Sequence, residues 1–72
     1  MLRITDFIFD GNILSMTVWV EGKEEHHMSV DMDTFSVVES DIPNRIYERQ
    51  AMVALERYKG KELPEKITSY WY

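Results

Sequence analysis

The chain has 72 residues, 44% of them hydrophobic, with no cysteine and a net charge of −5. That composition argues for one folded domain, residues 1–72, rather than a disordered chain. The lack of thiols excludes disulfides and thiolate zinc centres. The acidic balance opposes binding to phosphate backbones, which requires neutralisation by Lys and Arg, so no nucleic-acid partner is expected.

In chain order, the first half reads as strands. "LRITDFIF" and "ILSMTVWV" flank "DGN", a tight-turn signal because Gly and Asn tolerate positive φ. A two-residue turn, at Asp10-Gly11 or Gly11-Asn12, sets Phe7 on the face of Leu14 and Met16. A three-residue loop would instead bury Asp6 without a partner. An odd loop at Glu21-Gly22-Lys23 sets Met16 opposite Met28 and Leu14 opposite Val30. A turn at Asp33-Thr34 sets Val30 opposite Val37. The result is a four-strand meander whose core face collects Phe7, Phe9, Leu14, Met16, Val18, Val20, Met28, Val30, Met32, Phe35 and Val37.

The spacing next predicts a helix near residues 44–59. Pro43 disfavours helix at Ile42, Asn44 suits an N-cap, and Gly60 suits the position after the C-cap. Tyr47, Ala51, Ala54, Leu55 and Tyr58 form one stripe with Ile46 and Val53 at its flank, opposite Arg45, Glu48, Arg49, Glu56 and Lys59. The two alanines permit close approach to the sheet. "ITSYWY" then reads as a fifth strand, beside the fourth or antiparallel beside the first, with a short helix as the rival reading. The fold class is therefore α+β: an antiparallel β-meander of four strands packed by one α-helix, then a C-terminal strand.

Charge is segregated along the chain. Residues 21–41 set seven carboxylates (Glu21, Glu24, Glu25, Asp31, Asp33, Glu39, Asp41) against Lys23. Residues 45–61 set Arg45, Arg49, Arg57, Lys59 and Lys61 against Glu48 and Glu56. The first reading of such segregation is two solvated faces, the second a polar docking surface. No apolar run approaches the ~18 residues of a membrane span, and "MLRITDFIFDGN" lacks the apolar core and cleavage site of a signal peptide. The expectation is a cytoplasmic protein without a membrane partner.

Chemistry-bearing motifs are weak. In "EGKEEHHMSVDMD" the adjacent His26 and His27 point to opposite faces of a strand and cannot share one ion. Glu25, His27 and Asp31 do share a face, but with one nitrogen donor they fall short of a structural zinc site. "DMDT" begins like a calcium loop, yet Phe35, Ser36 and Ile42 occupy the positions that need a ligand, glycine and glutamate. No motif frames a serine nucleophile, and Gly11, Gly22 and Gly60 are assigned to turns or caps rather than to a phosphate cradle. Arg45 and Arg49 with Tyr70, Trp71 and Tyr72 have the ingredients of single-strand binding, which the acidic totals oppose. No catalytic residues, metal or cofactor are expected, and the chain is read as a non-enzyme.

The second sheet face is the informative oddity. On strict alternation it presents Leu2, Ile4, Ile8, Ile13, Trp19 and Val38, among Thr17, His27 and Ser29. Antiparallel sheets with a wet face normally carry polar residues there, so an apolar cluster points to a contact surface. A bulge near Asp6 that swaps the faces, or the chain end folding across, would dismantle the cluster. The reading is a small non-catalytic protein-interaction module, self-associating as a homodimer or binding a protein partner, with Ile4, Ile13, Trp19 and Tyr70 as contact residues. The alternative is an acidic inhibitor or nucleic-acid mimic that uses the carboxylates of 21–41 against a basic protein surface. An enzyme or metal-binding protein ranks third.

Overall fold

The computed structural model describes residues 1–70. Five strands and one helix follow in the order β1 (Leu2–Asp10), β2 (Ile13–Val20), β3 (Glu24–Asp31), β4 (Ser36–Ser40), α1 (Arg45–Glu56) and β5 (Ile67–Ser69). They form one antiparallel sheet, β4-β3-β2-β1-β5, with the helix lying over β1 and β5. The α+β architecture is thus the expected one, with β5 taking its place beside β1.

The turns set the register. Asp10 faces Ile13 across Gly11-Asn12, and Gly11 has a φ of 63°. That places the positive φ at the first central position, as in a type II′ hairpin. The Glu21–Lys23 loop sets Met16 against Met28 and Leu14 against Val30. In the third hairpin Asp31 Oδ1 accepts from the backbone N–H groups of Asp33 (2.9 Å) and Thr34 (3.3 Å), and Val30 pairs with Val37. Asn44 caps the helix, its Oδ1 accepting from Ile46 N–H at 2.9 Å. The helix ends earlier than its periodicity suggests, at Glu56, and a further turn carries the chain to Gly60 at φ 74°.

Two β-bulges correct the simple alternation. In β1 the register shifts by one residue between Thr5 and Ile8, with Asp6 in the left-handed region at φ 57°. Bulges place one extra residue in a strand and commonly use that conformation. The extra residue reverses which face each later side chain meets. Leu2 therefore pairs with Val20 and Ile4 with Val18 on the core face, while Phe9, beyond the bulge, lies opposite Leu14 on that same face. The expected placement of Leu2 and Ile4 on the second face is thus corrected, and both are fully buried. The second bulge inserts Val38 in β4, between the pairs Ser29–Glu39 and Val30–Val37.

The core comprises Leu2, Ile4, Leu14, Met16, Val18, Val20, Met28 and Val30 from the sheet, covered by Ala51, Ala54 and Leu55 of the helix. Ile42 and Ile67 close its ends, and Phe7, Met32, Phe35, Val37, Tyr47 and Tyr58 pack around it. Phe9 falls at the margin and is 58% exposed, as are the helix-flank residues Ile46 and Val53 to similar degrees.

This face assignment makes Ile4 and Ile8 unequal although both are isoleucines of one strand. Ile4→Ala is expected to lower unfolding free energy by about 2–5 kcal/mol, the range for emptying a packed core site. Ile8→Ala is expected to stay within about 0.5 kcal/mol, as for an open surface position. Chemical denaturation of the two variants checks this, and equal losses would refute the face swap.

Candidate interaction surface

The sheet side away from the helix is built from cross-strand rows, because directly opposed residues of antiparallel strands share a face. The first row is Asp10, Ile13, Asp31 and Ser36. The second is Ile8, Ser15, Ser29 and Glu39. The third is Thr5, Thr17 and His27, and the fourth Thr68, Arg3, Trp19 and Glu25. Among the described residues of these rows, four carboxylates therefore stand against Arg3 and His27.

Arg3 and Trp19 are tied together. The guanidinium carbon lies 5.7 Å from the indole centroid, and the indole Nε1–H donates to Thr5 Oγ1 at 3.0 Å. A cation over a ring in a half-exposed setting contributes about 0.5–1 kcal/mol. The indole is thus half-buried, pinned from above and at its edge. Down the centre of the face the hydroxyls of Ser15 and Ser29 are 3.2 Å apart. A concavity of about 460 Å³ opens over these hydroxyls, bordered by Ile8 on one side and by His27, Glu39 and Asp41 on the other.

Of the contact residues expected from sequence, Trp19 and Ile13 do share this face, both partly covered. Ile4 does not, since its side chain is fully buried under the helix. Tyr70 follows β5 and is 68% exposed, whereas Trp71 and Tyr72 lie outside the described residues. Glu24 pairs with Val20 and so leaves the row set to which Glu25 and Asp31 belong. Asp10 and Glu39, not singled out from the sequence as members of this face, join it through their partners Ile13 and Ser29. The signal for Asp10 was present in the hairpin register; that for Glu39 was hidden by the bulge at Val38.

His26 and His27 meet opposite faces, opposite Val18 and Thr17, yet both reach Asp41 just beyond β4. Asp41 Oδ1 accepts the backbone N–H of His27 at 2.8 Å and lies 3.4 Å from His26 Nδ1, and Oδ2 is 3.8 Å from His27 Nδ1. The Asp41 N–H in turn donates to His27 O at 3.1 Å. The side chain thus extends the β3–β4 ladder by one pair as the main chain leaves toward Pro43. His26 Nε2 is buried without a hydrogen-bond partner, 3.6 Å from Glu24 Oε2. Among the described residues no group of three His, Asp or Glu side chains is arranged to hold a metal ion. Among those residues, too, no helix is long and apolar enough to cross a membrane.

The backbone hydrogen bond from His27, and then the nearby imidazoles acting against slight desolvation, hold the Asp41 carboxyl below its ordinary pKa. A depressed carboxyl stabilises the folded state above its unfolded pKa, and that contribution is lost as pH falls through the folded value. Asp41→Asn is therefore expected to be less stable than the parent chain at neutral pH. The difference should close as pH drops below about 4, where aspartates protonate. Urea titrations at neutral and acid pH check the sign, and a gap that persists in acid would assign the loss to packing instead.

Comparison with known proteins finds no matching family model, no matching curated protein and no matching solved structure.

Proposed function

We propose that the chain is a non-catalytic interaction module whose open sheet face takes a basic protein partner. The observation that supports this reading is the composition of the four rows: Asp10, Asp31, Glu39 and Glu25 share rows with Ile8, Ile13 and Trp19, and the arginine of the face, Arg3, is engaged with the indole. Apolar groups interleaved with carboxylates around a hydroxyl-lined centre give a mixed surface on which apolar contact and charge pairing act together. Opposite charge on the partner steers encounter and fixes register.

The same rows weigh against self-association through this face. A two-fold contact brings a surface against its own copy. Here it would set the four carboxylates against four more, with one arginine on each side. Like-charge juxtaposition of that kind discriminates against a partner. With Leu2 and Ile4 withdrawn into the core, the apolar area left to offset the repulsion is smaller than strict alternation implies.

Selection of a random peptide library against the folded chain tests the reading without assuming a partner. The expected outcome is enrichment of Lys/Arg-rich peptides whose affinity falls steeply with salt. The triple variant Glu25→Gln/Asp31→Asn/Glu39→Gln should lose most of that binding while remaining folded, because Glu25 and Glu39 are exposed and asparagine at 31 keeps an Oδ1 acceptor for the Asp33 and Thr34 amides. Enrichment of acidic or uncharged peptides, or undiminished binding to the variant, would overturn the proposal.

A further inference from the structure

The two edges of the sheet are protected unequally. The β4 edge is five residues long, bulged at Val38, charged at Glu39 and followed by Asp41 and Pro43. Short length, bulges, charges and proline are the means by which edges avoid further pairing. The opposite edge is covered by β5, but only in part. β5 pairs with Leu2, Arg3 and Ile4, and no strand among the described residues pairs with β1 on this side from Thr5 to Asp10. This stretch has a bulge at Asp6 and a charge at each end, but past the bulge Phe7-Ile8-Phe9 runs without lysine or proline, and Ile8 and Phe9 are 65% and 58% exposed.

The backbone of this stretch is oriented to pair. In a two-residue hairpin the residues flanking the turn exchange both backbone hydrogen bonds, and the next pair exchanges none. Here the flanking pair is Asp10–Ile13 and the next is Phe9–Leu14. The N–H and C=O of Phe9 therefore turn away from β2, toward the free edge. Alongside runs a groove of about 660 Å³ between Thr5, Phe7 and Phe9 on the strand and Leu63, Pro64 and Lys66 on the loop that leads into β5.

We infer that this groove is a strand-addition site, in which an extended segment of a basic partner pairs with β1 past the bulge, around Phe9, as a ladder separate from that of β5. Such augmentation takes affinity from main-chain bonds and specificity from alternate side chains. The segment's apolar residues meet Phe7, Phe9 and Leu63 on the helix side. Its lysines or arginines emerge on the open face, where their stems cover Ile8 and their charges reach Asp10 and Asp6. Among the residues that line the groove, Asp6 and Glu65 outnumber Lys66, and Asp10 stands beside it on the open face. A second copy of the chain is a poor occupant. The two-fold antiparallel register that matches Phe7 with Phe9 also sets Asp6 directly against Asp10, twice, and like charges so placed are destabilising.

The inference rests on the reading that the partner is basic, and its test separates the two. The probe is a short end-blocked peptide alternating lysine and valine. It is expected to bind the chain and to slow hydrogen exchange at the Phe9 amide. Phe9→Pro, which removes that amide, should weaken binding about fivefold relative to Phe9→Ala, which removes only the ring. Two further peptides, N-methylated along one edge or along the other, keep the question decidable if Phe9→Pro does not fold. One should lose binding and the other retain it. Equal binding of both methylated peptides, an unchanged Phe9 amide, or equal binding of a glutamate–valine peptide would overturn the site. If library-selected basic peptides bind without protecting Phe9, the strand-addition site fails while the basic-partner reading stands. If no basic peptide is selected at all, that reading fails first.

Discussion

The arrangement of this molecule depends on one residue held at positive φ in its first strand. Side chains of a strand alternate with a period of two, so an unbroken β1 would send Leu2 and Ile4 to one side and Phe7 and Phe9 to the other. Asp6, at φ 57°, absorbs one residue and brings all four toward the helix side. The magnitudes favour this solution. A left-handed non-glycine residue costs roughly 1–2 kcal/mol, and aspartate is among the side chains that tolerate it best. Full burial of a leucine and an isoleucine returns about 1.5–3 kcal/mol each. Thr5, whose hydroxyl donates to Asp6 Oδ2 at 2.8 Å, helps to hold the side chain beside the kink.

The bulge settles the character of the other face as well. With the aliphatic residues of early β1 turned inward, that strand contributes Arg3 and Thr5 outward, against Trp19 and Thr17 of β2. The indole then has both a cation above it and an acceptor for its N–H. What remains apolar outside is divided among Ile8, Ile13 and part of Trp19, and each has a carboxylate in its row. The positive charge gathers elsewhere, in residues 45–61 of the helix and the turn after it, where five bases stand against Glu48 and Glu56. The net charge of −5 therefore understates how acidic the open face is.

Much of this was legible in the residues. The registers of the second and third hairpins follow from turn composition and from the need to keep methionines and valines together, and the first hairpin takes the Gly11-Asn12 turn, one of the two that composition left open. The helix, its asparagine cap and its alanine-leucine stripe follow from local chemistry that tertiary contacts reinforce. The sequence of β1 was ambiguous for a physical reason. "LRITDFIF" satisfies a core face in either frame, Leu2-Ile4 before Asp6 or Phe7-Phe9 after it. Only the burial of Leu2 and Ile4 together with the packing of Phe7, which needs the whole sheet and the helix above it, selects the bulge. Val38 hid Glu39 in the same way, since an inserted residue inverts every assignment beyond it. Ile4 was consequently assigned to the wrong side, while Trp19 and Ile13, on the regular β2, were placed correctly.

The kink that completes the core also divides the edge. Before it, β1 is straight enough to receive Ile67 and Ser69 opposite Ile4 and Leu2, and both of those β5 residues are buried. Past it, a strand arriving from the Gly60–Lys66 loop no longer meets a continuous ladder, because a bulge interrupts the spacing of edge hydrogen bonds. Pro64, lacking an N–H, could not donate there in any case. β5 therefore pairs with three residues and leaves the hairpin end of β1 bordered by a groove. Filling the core and exposing a pairing edge are thus two consequences of one inserted residue. A sequence that removed the bulge to close the edge while keeping Phe7 on the helix side would have to expel Leu2 and Ile4, at a cost in burial greater than the strain it relieves.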